Sequence, residues 1–273
     1  MTLLKINNIE DSNTNRLSVQ VSLNGLSFLV SDPEKNDLLF FKEMSLAHST
    51  TPEELLIDAE SIISDNPILQ EPFSEVSVIY ATQLYTLVPL PLFDESKASE
   101  YLKFNSKILA NDYMAHDVLT EHDLVVVYVP LMNINNYFFE KFGAFNYYHS
   151  STILLKTILQ REKFSLAPKI YLHFQKNSFD CIVLKNGKLE LCNSYPFVTP
   201  DDFIYYTLFC MEQLELNPET VQLELLGDIE ENDENYKMAY TYVRNIKFFE
   251  FASYFTTATE AISRRSFILN LIP

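Results

Sequence analysis

A few short polar clusters carry the side chains able to do chemistry in this chain. Lys176, Asn177 and Ser178 stand in a row. Lys supplies positive charge, and Asn and Ser supply hydrogen-bond donors, so together they could grip an anion. A polar hairpin tip accounts for the same three residues more simply. Gln20, Ser22 and Asn24 alternate with apolar residues ahead of Gly25. On a strand they share one face, turned to a ligand or to solvent, and the strand period favours solvent. His116-Asp117 and Glu121-His122-Asp123 make the one His/acid cluster of the sequence. Polar residues are expected where two strands turn, so no metal is assigned to it. His149-Ser150-Ser151 suggests a nucleophile, but Ser150 or Ser151 capping the next helix explains the triplet. No Gly-x-Ser-x-Gly elbow, Walker loop or Cys-x-x-Cys pair occurs. No catalytic residue and no metal ligand is therefore named.

The elements that would position these residues come in two similar sets. Leu17 to Leu23 alternates, turns at Asn24-Gly25 and continues as Leu26 to Val30, a hairpin signal. A β run at Asp37 to Phe41 follows. Thr51-Pro52-Glu53-Glu54 then opens a helix to about Ser64, with Thr as N-cap, Pro at the first position and Glu reaching back. Val76 to Tyr80 is the next strand. The second half replays this order. Its β runs are Lys169 to Phe174, Phe179 to Leu184 and, after an Asn186-Gly187 turn, Lys188 to Ser194. Thr199-Pro200-Asp201-Asp202 opens a helix to about Leu214, and Val221 to Leu225 follows. The two Thr-Pro caps lie 148 residues apart. A near-constant offset over half a chain predicts two copies of one βββαβ unit.

Between the copies lie a Pro-rich bend at Val88-Pro89-Leu90-Pro91 and a helix from Asp94 to Phe104. β runs at Met114 to Leu119 and Leu124 to Val129 follow. A helix from Asn133 to Phe142 ends at Gly143, and the β run Phe145 to Tyr148 leads into a helix at Ser150 to Arg161. The acidic run Asp228 to Glu234 reads as a helix N-terminus. That helix continues over Tyr236 to Arg244, before a strand at Ile246 to Phe251. Residues 252–273 read as a further helix and a terminal apolar strand. The expected division is a lead-in over 1–16, a first lobe with its connecting helix over 17–163, and a second lobe over 164–273. No linker of low complexity separates the lobes, so they should pack closely.

Composition bounds the function. Apolar residues make up 47% of the chain, enough for a packed core, and the net charge is −17. So acidic a surface repels DNA, RNA and anionic lipid. The longest apolar run, Leu124 to Met132, is far too short to span a bilayer. The N-terminus lacks a signal peptide's pattern, so the cytoplasm is the expected compartment. Counting back from Asn186-Gly187 pairs 185 with 188 and 181 with 192, which sets Cys181 opposite Cys192. Their Cα atoms would then be about 5.5 Å apart. A strained redox disulfide is one reading, and two buried thiols in a reducing compartment is the favoured one. Cys210 lies on an apolar helix and is expected in the core.

The order βββαβα, given twice, resembles the actin-like ATPase fold shared with hexokinase and the heat-shock chaperone ATPases. The local match is His173-Phe174-Gln175-Lys176-Asn177-Ser178-Phe179-Asp180, continuing to Asn186-Gly187-Lys188. It is similar to the second phosphate loop of actin-like proteins, including cell-division and pilus-assembly members. That pattern reads Asp-x-Gly-Gly-Gly-Thr-Thr-Asp, then a strand, then Asn-Gly-Lys. Asp180 and Asn186-Gly187-Lys188 coincide with it. His173 stands where the family has the Asp that orients metal-bound water. Gln175, Lys176 and Asn177 stand where its glycines let backbone N–H groups approach phosphate. Ser22-Leu23-Asn24-Gly25 replaces Asp-x-Gly-Ser of the first loop, and Gly227-Asp228 replaces paired glycines of the adenosine motif. The whole chain is similar to a bacterial family of uncharacterised proteins with this fold, most clearly over Leu17–Val30 and Tyr85–Phe93.

The resemblance implies a mixed α/β protein, a duplicated ribonuclease H-like fold with two βββαβα lobes around a cleft. Its vestigial phosphate cleft would comprise Ser22, Asn24, Gly25, His173, Gln175, Lys176, Asn177, Ser178, Asp180, Gly227 and Asp228. The expected function is a non-catalytic, actin-like protein that binds another protein and uses no cofactor. The alternative is a divergent nucleotide-binding protein or weak ATPase. There Lys176 would replace backbone donors, and Asp180, Asp228 or Glu224 would help hold Mg-ATP. Self-assembly stays open.

Overall fold

The computed structural model describes residues 14–46, 50–104, 106–109, 111–250, 255, 264 and 266–272. The lead-in lies almost wholly outside these residues. So does most of 252–273.

The first half begins with strands β1 (Arg16–Ser22), β2 (Gly25–Asp32) and β3 (Asp37–Ser45). Helix α1 (Pro52–Asp65) and strand β4 (Glu75–Tyr80) follow. Next come β5 (Tyr85–Pro89), α2 (Ala98–Lys103), β6 (Ala115–Leu119) and β7 (Leu124–Tyr128). The half ends with α3 (Met132–Phe142), β8 (Asn146–His149) and α4 (Ser150–Arg161). The second half runs β9 (Lys169–Phe174), β10 (Ser178–Lys185), β11 (Lys188–Pro196), α5 (Pro200–Gln213) and β12 (Gln222–Gly227). It continues with α6 (Glu234–Tyr242), β13 (Asn245–Phe248) and the short α7 (Phe267–Asn270).

Two five-stranded sheets share one topology. The first has the order β3-β2-β1-β4-β8 and the second β11-β10-β9-β12-β13. In each, three antiparallel strands lead and two parallel strands follow. Both crossover helices open on the expected caps. Thr51 Oγ1 accepts from Glu54 N at 3.2 Å, and Glu54 Oε2 accepts from Thr51 N at 3.2 Å. Thr199 Oγ1 accepts from Asp202 N at 3.2 Å, and Asp202 Oδ2 accepts from Thr199 N at 2.9 Å. Orphan N–H groups at both helix starts are thus satisfied reciprocally.

Several local expectations need correction. The β1–β2 turn is Leu23-Asn24, one residue earlier than read, and Gly25 already pairs with Ser22 in β2. The first two residues of the Pro-rich bend, Val88 and Pro89, end strand β5, which joins β7 and β6 in a third sheet of order β5-β7-β6. The helix expected from Asp94 is a 3-10 turn, Glu95–Lys97, followed by the six residues of α2. Asp228 to Asp233 is a loop, closed by Glu230 N donating to Asp233 Oδ2 at 2.7 Å, and α6 starts only at Glu234. Residues 267–270 form α7 and not a terminal strand.

The Cys181–Cys192 pairing fails for a specific reason. The turn does pair Lys185 with Lys188, but a bulge follows: Leu184 faces Leu189 and Val183 faces Leu191. Glu190 is the extra residue. Cys192 therefore faces Ile182, and Cys181 faces Asn193. A one-residue slip sends side chains to opposite faces of the sheet. Cys181 and Cys210 are buried in the core under α5 and α6, while Cys192 packs on the other side. All three are free thiols.

The largest core is not confined to one sheet. It runs from β1, β2 and β4 through Leu154, Leu155, Ile158 and Leu159 of α4 to Tyr171, Ile182, Leu184 and Leu226 of the second sheet. The two halves are packed together by apolar contact, as close packing of the lobes required. A second core lies between the other face of the second sheet and α5 and α6. A third lies under α2 against β5 and β7. No helix among the described residues is long and apolar enough to cross a membrane.

Candidate functional site

The turn between β1 and β2 faces the turn between β9 and β10. Ser22, Asn24 and Gly25 line a narrow cavity of about 70 Å3 together with His173, Gln175, Lys176 and Asp228. Its size suits a few waters, well below the roughly 300–1,000 Å3 of ligand pockets. A second cavity of about 290 Å3 is lined by Ser22, Asn24, Gln175, Ser178 and Asp180, and by Thr82, Ser150 and Ser194. Nine of the eleven sequence-derived residues thus line one of two cavities at the same end of the molecule. Asn177 and Gly227 line neither.

Side chains of this region engage one another. β10 alternates: Phe179, Cys181 and Val183 face α5 and α6, and Ile182 and Leu184 join the core shared with the first half. The period of two puts Asp180 on the shared side. It is buried there, opposite His173 on β9 and Ser194 on β11. His173 Nδ1 lies 3.0 Å from Asp180 Oδ2, and Gln175 Nε2 donates to the same oxygen at 3.2 Å. Ser194 Oγ donates to Oδ1. Burial pushes the Asp180 carboxyl up, but the bonds and charge of His173, joined by Ser194, outweigh it and hold the carboxyl below its ordinary value.

The first turn is closed by a side chain and the second by the backbone. Ser22 Oγ donates to the Gly25 carbonyl at 3.2 Å and accepts from Asn24 N at 3.2 Å. Gln175 N donates to the Ser178 carbonyl at 2.9 Å, and the Asn177 carbonyl accepts from Phe197 N at 3.1 Å. Lys176 is exposed at the tip. Gly25 and Gly227 serve close contact between strands. A Cβ on Gly25 would drive into the Met44 carbonyl, and one on Gly227 into the Phe174 carbonyl. That Phe174 carbonyl accepts from Asp228 N at 3.0 Å. Both glycines are held at positive φ, 152° and 80°.

Three contributors to this region escape a reading of the sequence. Tyr85 of β5 places its hydroxyl 3.2 Å from Ser194 Oγ and 3.6 Å from Cys192 Sγ. Its ring lies 4.5 Å from that of His149. His149 is the cap of α4: Nδ1 accepts from Ser151 N at 3.2 Å, so the serines are not the caps. The proton then sits on Nε2, which donates to the Thr82 carbonyl at 3.0 Å. Burial pushes the His149 imidazole down to about 4. Ser194 faces Asp180 because of the Glu190 bulge, which no composition signal marks.

The His/acid cluster does not converge. Asp117 turns inward, accepting from His149 N at 2.8 Å, Thr152 Oγ1 at 2.6 Å and Tyr128 OH at 3.1 Å. His116 packs 4.8 Å from the Phe93 ring. Among the described residues no group of three or more His, Cys, Asp or Glu could hold a metal. Glu224 lies away from both cavities. It is fully buried beside Arg161 Nη1 at 3.1 Å and Lys247 Nζ at 3.3 Å. These contacts are ionic, without hydrogen-bond geometry.

The family described as protein of unknown function, DUF3822, matches residues 5–246. The chain belongs to the DUF3822 family. The fold of this DUF3822 protein is similar to that of a Bacteroides thetaiotaomicron protein with actin-like ATPase fold and unknown function. The two share 23% identity over 87% of this chain and 91% of that one, with a TM-score of 0.76. A PilM–PilN type IV pilus biogenesis complex is similar at 11% identity over 94% of this chain and 96% of that one, with a TM-score of 0.61. None of the curated proteins matches the sequence. The actin-like ATPase fold expected from the repeat is thereby established for this DUF3822 member, and its activity is not.

Proposed function

We propose that this chain works by binding another protein and does not turn over nucleotide. The observation that carries this reading is the state of Asp180, both of whose oxygens are bonded within the chain. Gln175, Lys176 and Asn177 carry side chains where the resembling pattern has the glycines of a phosphate cradle, and Gln175 Nε2 is spent on Asp180. No cofactor is assigned. A net charge of −17 favours a basic protein partner over nucleic acid, in a cytoplasmic setting. The similar PilM is found in a complex with PilN, so a member of this fold does assemble with a protein.

Thermal melting with millimolar Mg-ATP, Mg-ADP and Mg-GTP tests the reading. A ligand at 100 times its Kd would stabilise the folded state by about 2.7 kcal/mol, worth several degrees. We expect no shift. A rise of several degrees, lost in Lys176→Ala, would overturn the reading. It would favour instead a divergent nucleotide site in which Lys176 and Asp228 face Ser22 and Asn24 across the cleft.

A further inference from the structure

Helix α5 carries a face that its fold does not require. On its outer side Asp201, Tyr205, Phe209 and Glu212 succeed one another at helical spacing, forming one stripe. Tyr205 is 63% exposed and Phe209 43% exposed. Their rings stack at 6.3 Å with an interplanar angle of 19°. The repeat supplies an internal control. Offset by the 148 residues that separate the two caps, α1 sits in the same place in the first half. There Ile57 matches Tyr205, but Ser61 stands where α5 has Phe209. The second aromatic is therefore not a requirement of the architecture.

Charge indicates what would cover this stripe. Residues 200–245 hold 11 acids and 2 bases; Glu224 is buried and paired, and the other ten acids are exposed. Helix α6, which packs against α5, is preceded by exposed Glu230, Glu231 and Asp233. A second copy of the same acidic surface would be repelled. A guanidinium is the group that satisfies both features, since it stacks on aromatic faces and pairs with carboxylates. The chain already uses such stacking: Arg264 lies 4.3 Å over the Phe248 ring and Arg161 lies 4.2 Å over that of Phe249.

We infer that the outer face of α5, from Asp201 to Glu212, is the docking surface for an arginine-bearing amphipathic segment of another protein. Tyr205 and Phe209 provide the desolvated centre and the surrounding acids the polar rim. The inference rests on the protein-binding reading, but the two fail separately. A nucleotide-induced melting shift concerns the cleft and leaves α5 untouched.

The test is fluorescence anisotropy at physiological ionic strength with a labelled Arg/Leu amphipathic peptide and its Lys/Leu counterpart. The Arg peptide should bind more tightly than the Lys peptide. The variant Tyr205→Ser/Phe209→Ser should bind it about tenfold more weakly, in keeping with loss of an aromatic anchor. Ile57→Ser, the matching change on α1, should bind as the wild type does. Both sites are exposed, and unchanged melting temperatures will show that the variants fold. Absence of binding would overturn the inference. So would equal binding by wild type and the α5 variant, which would leave only diffuse charge attraction. Sedimentation velocity supplies a further check: a dimer that the α5 variant abolishes would make a second copy the occupant, against the inference.

Discussion

His149 shows how one side chain can take three structural tasks. It caps α4, bonds the Thr82 carbonyl and packs between Tyr85 and Tyr128. The cap requires the neutral ring, because Nδ1 must accept; the Thr82 bond favours the protonated ring, and burial outweighs it. Its folded value of about 4 lies below its ordinary 6.5. Below pH 6.5 the unfolded chain binds a proton that the folded chain does not. Stability contributed by the neutral ring is therefore complete above 6.5 and falls as pH drops towards 4, by roughly 3 kcal/mol in all. Urea midpoints at pH 7 and pH 4.5 should show this loss in the wild type and a much smaller one in His149→Asn, which keeps a capping acceptor. Asp117, pushed up by burial, works in the opposite sense near the acid end. The difference between wild type and variant isolates the imidazole.

At the scale of elements, the crossover helices were the most legible part of the sequence because their signals are local. Thr-Pro followed by acids states an N-cap, a first turn and a reciprocal bond within four residues, and both capping boxes form. Removing either cap with Thr51→Ala or Thr199→Ala should cost about 1 kcal/mol. The two losses should add, since the caps belong to separate helices with no shared partner. Chemical denaturation of the single and double variants checks this. Signals that depend on pairing were not legible. The Glu190 bulge lies inside a plain alternating run, yet it decides which face Cys192 and Ser194 take. β5 is five residues long and ends on a proline, so it reads as part of a bend. His149 was missed as a cap because histidine is not among the usual capping residues. The cleft residues could be collected by resemblance, whereas Tyr85 reaches the site only through the third sheet.

For the whole molecule, the decisive contact is α4 against the second sheet. Its apolar side joins the core that both sheets share, and its end delivers Arg161 to the buried Glu224. Glu162 beside it accepts from Lys169 Nζ at 2.6 Å. Burial would push the Glu162 carboxyl up, but the bond and charge of Lys169 hold it below its ordinary value. Arg161→Ala would leave Glu224 buried with only the half-exposed Lys247 beside it and would remove the stack on Phe249. Breaking a buried pair from one side costs about 3 kcal/mol or more. We expect a loss of that size in urea, with the wild type and the variant each unfolding in one calorimetric transition. Two separate transitions would show that the halves fold independently despite their common core.

The bulge at Glu190 ties the composition of the cleft to the length of a strand. With an unbroken register Asn193, and not Ser194, would stand opposite Asp180. Deleting one residue from β11 would thus strip the carboxylate of a partner without altering any residue that touches it. His173, Gln175, Asp180, Ser194 and the length of β11 form a single heritable unit, in which an insertion or deletion is as consequential as a substitution.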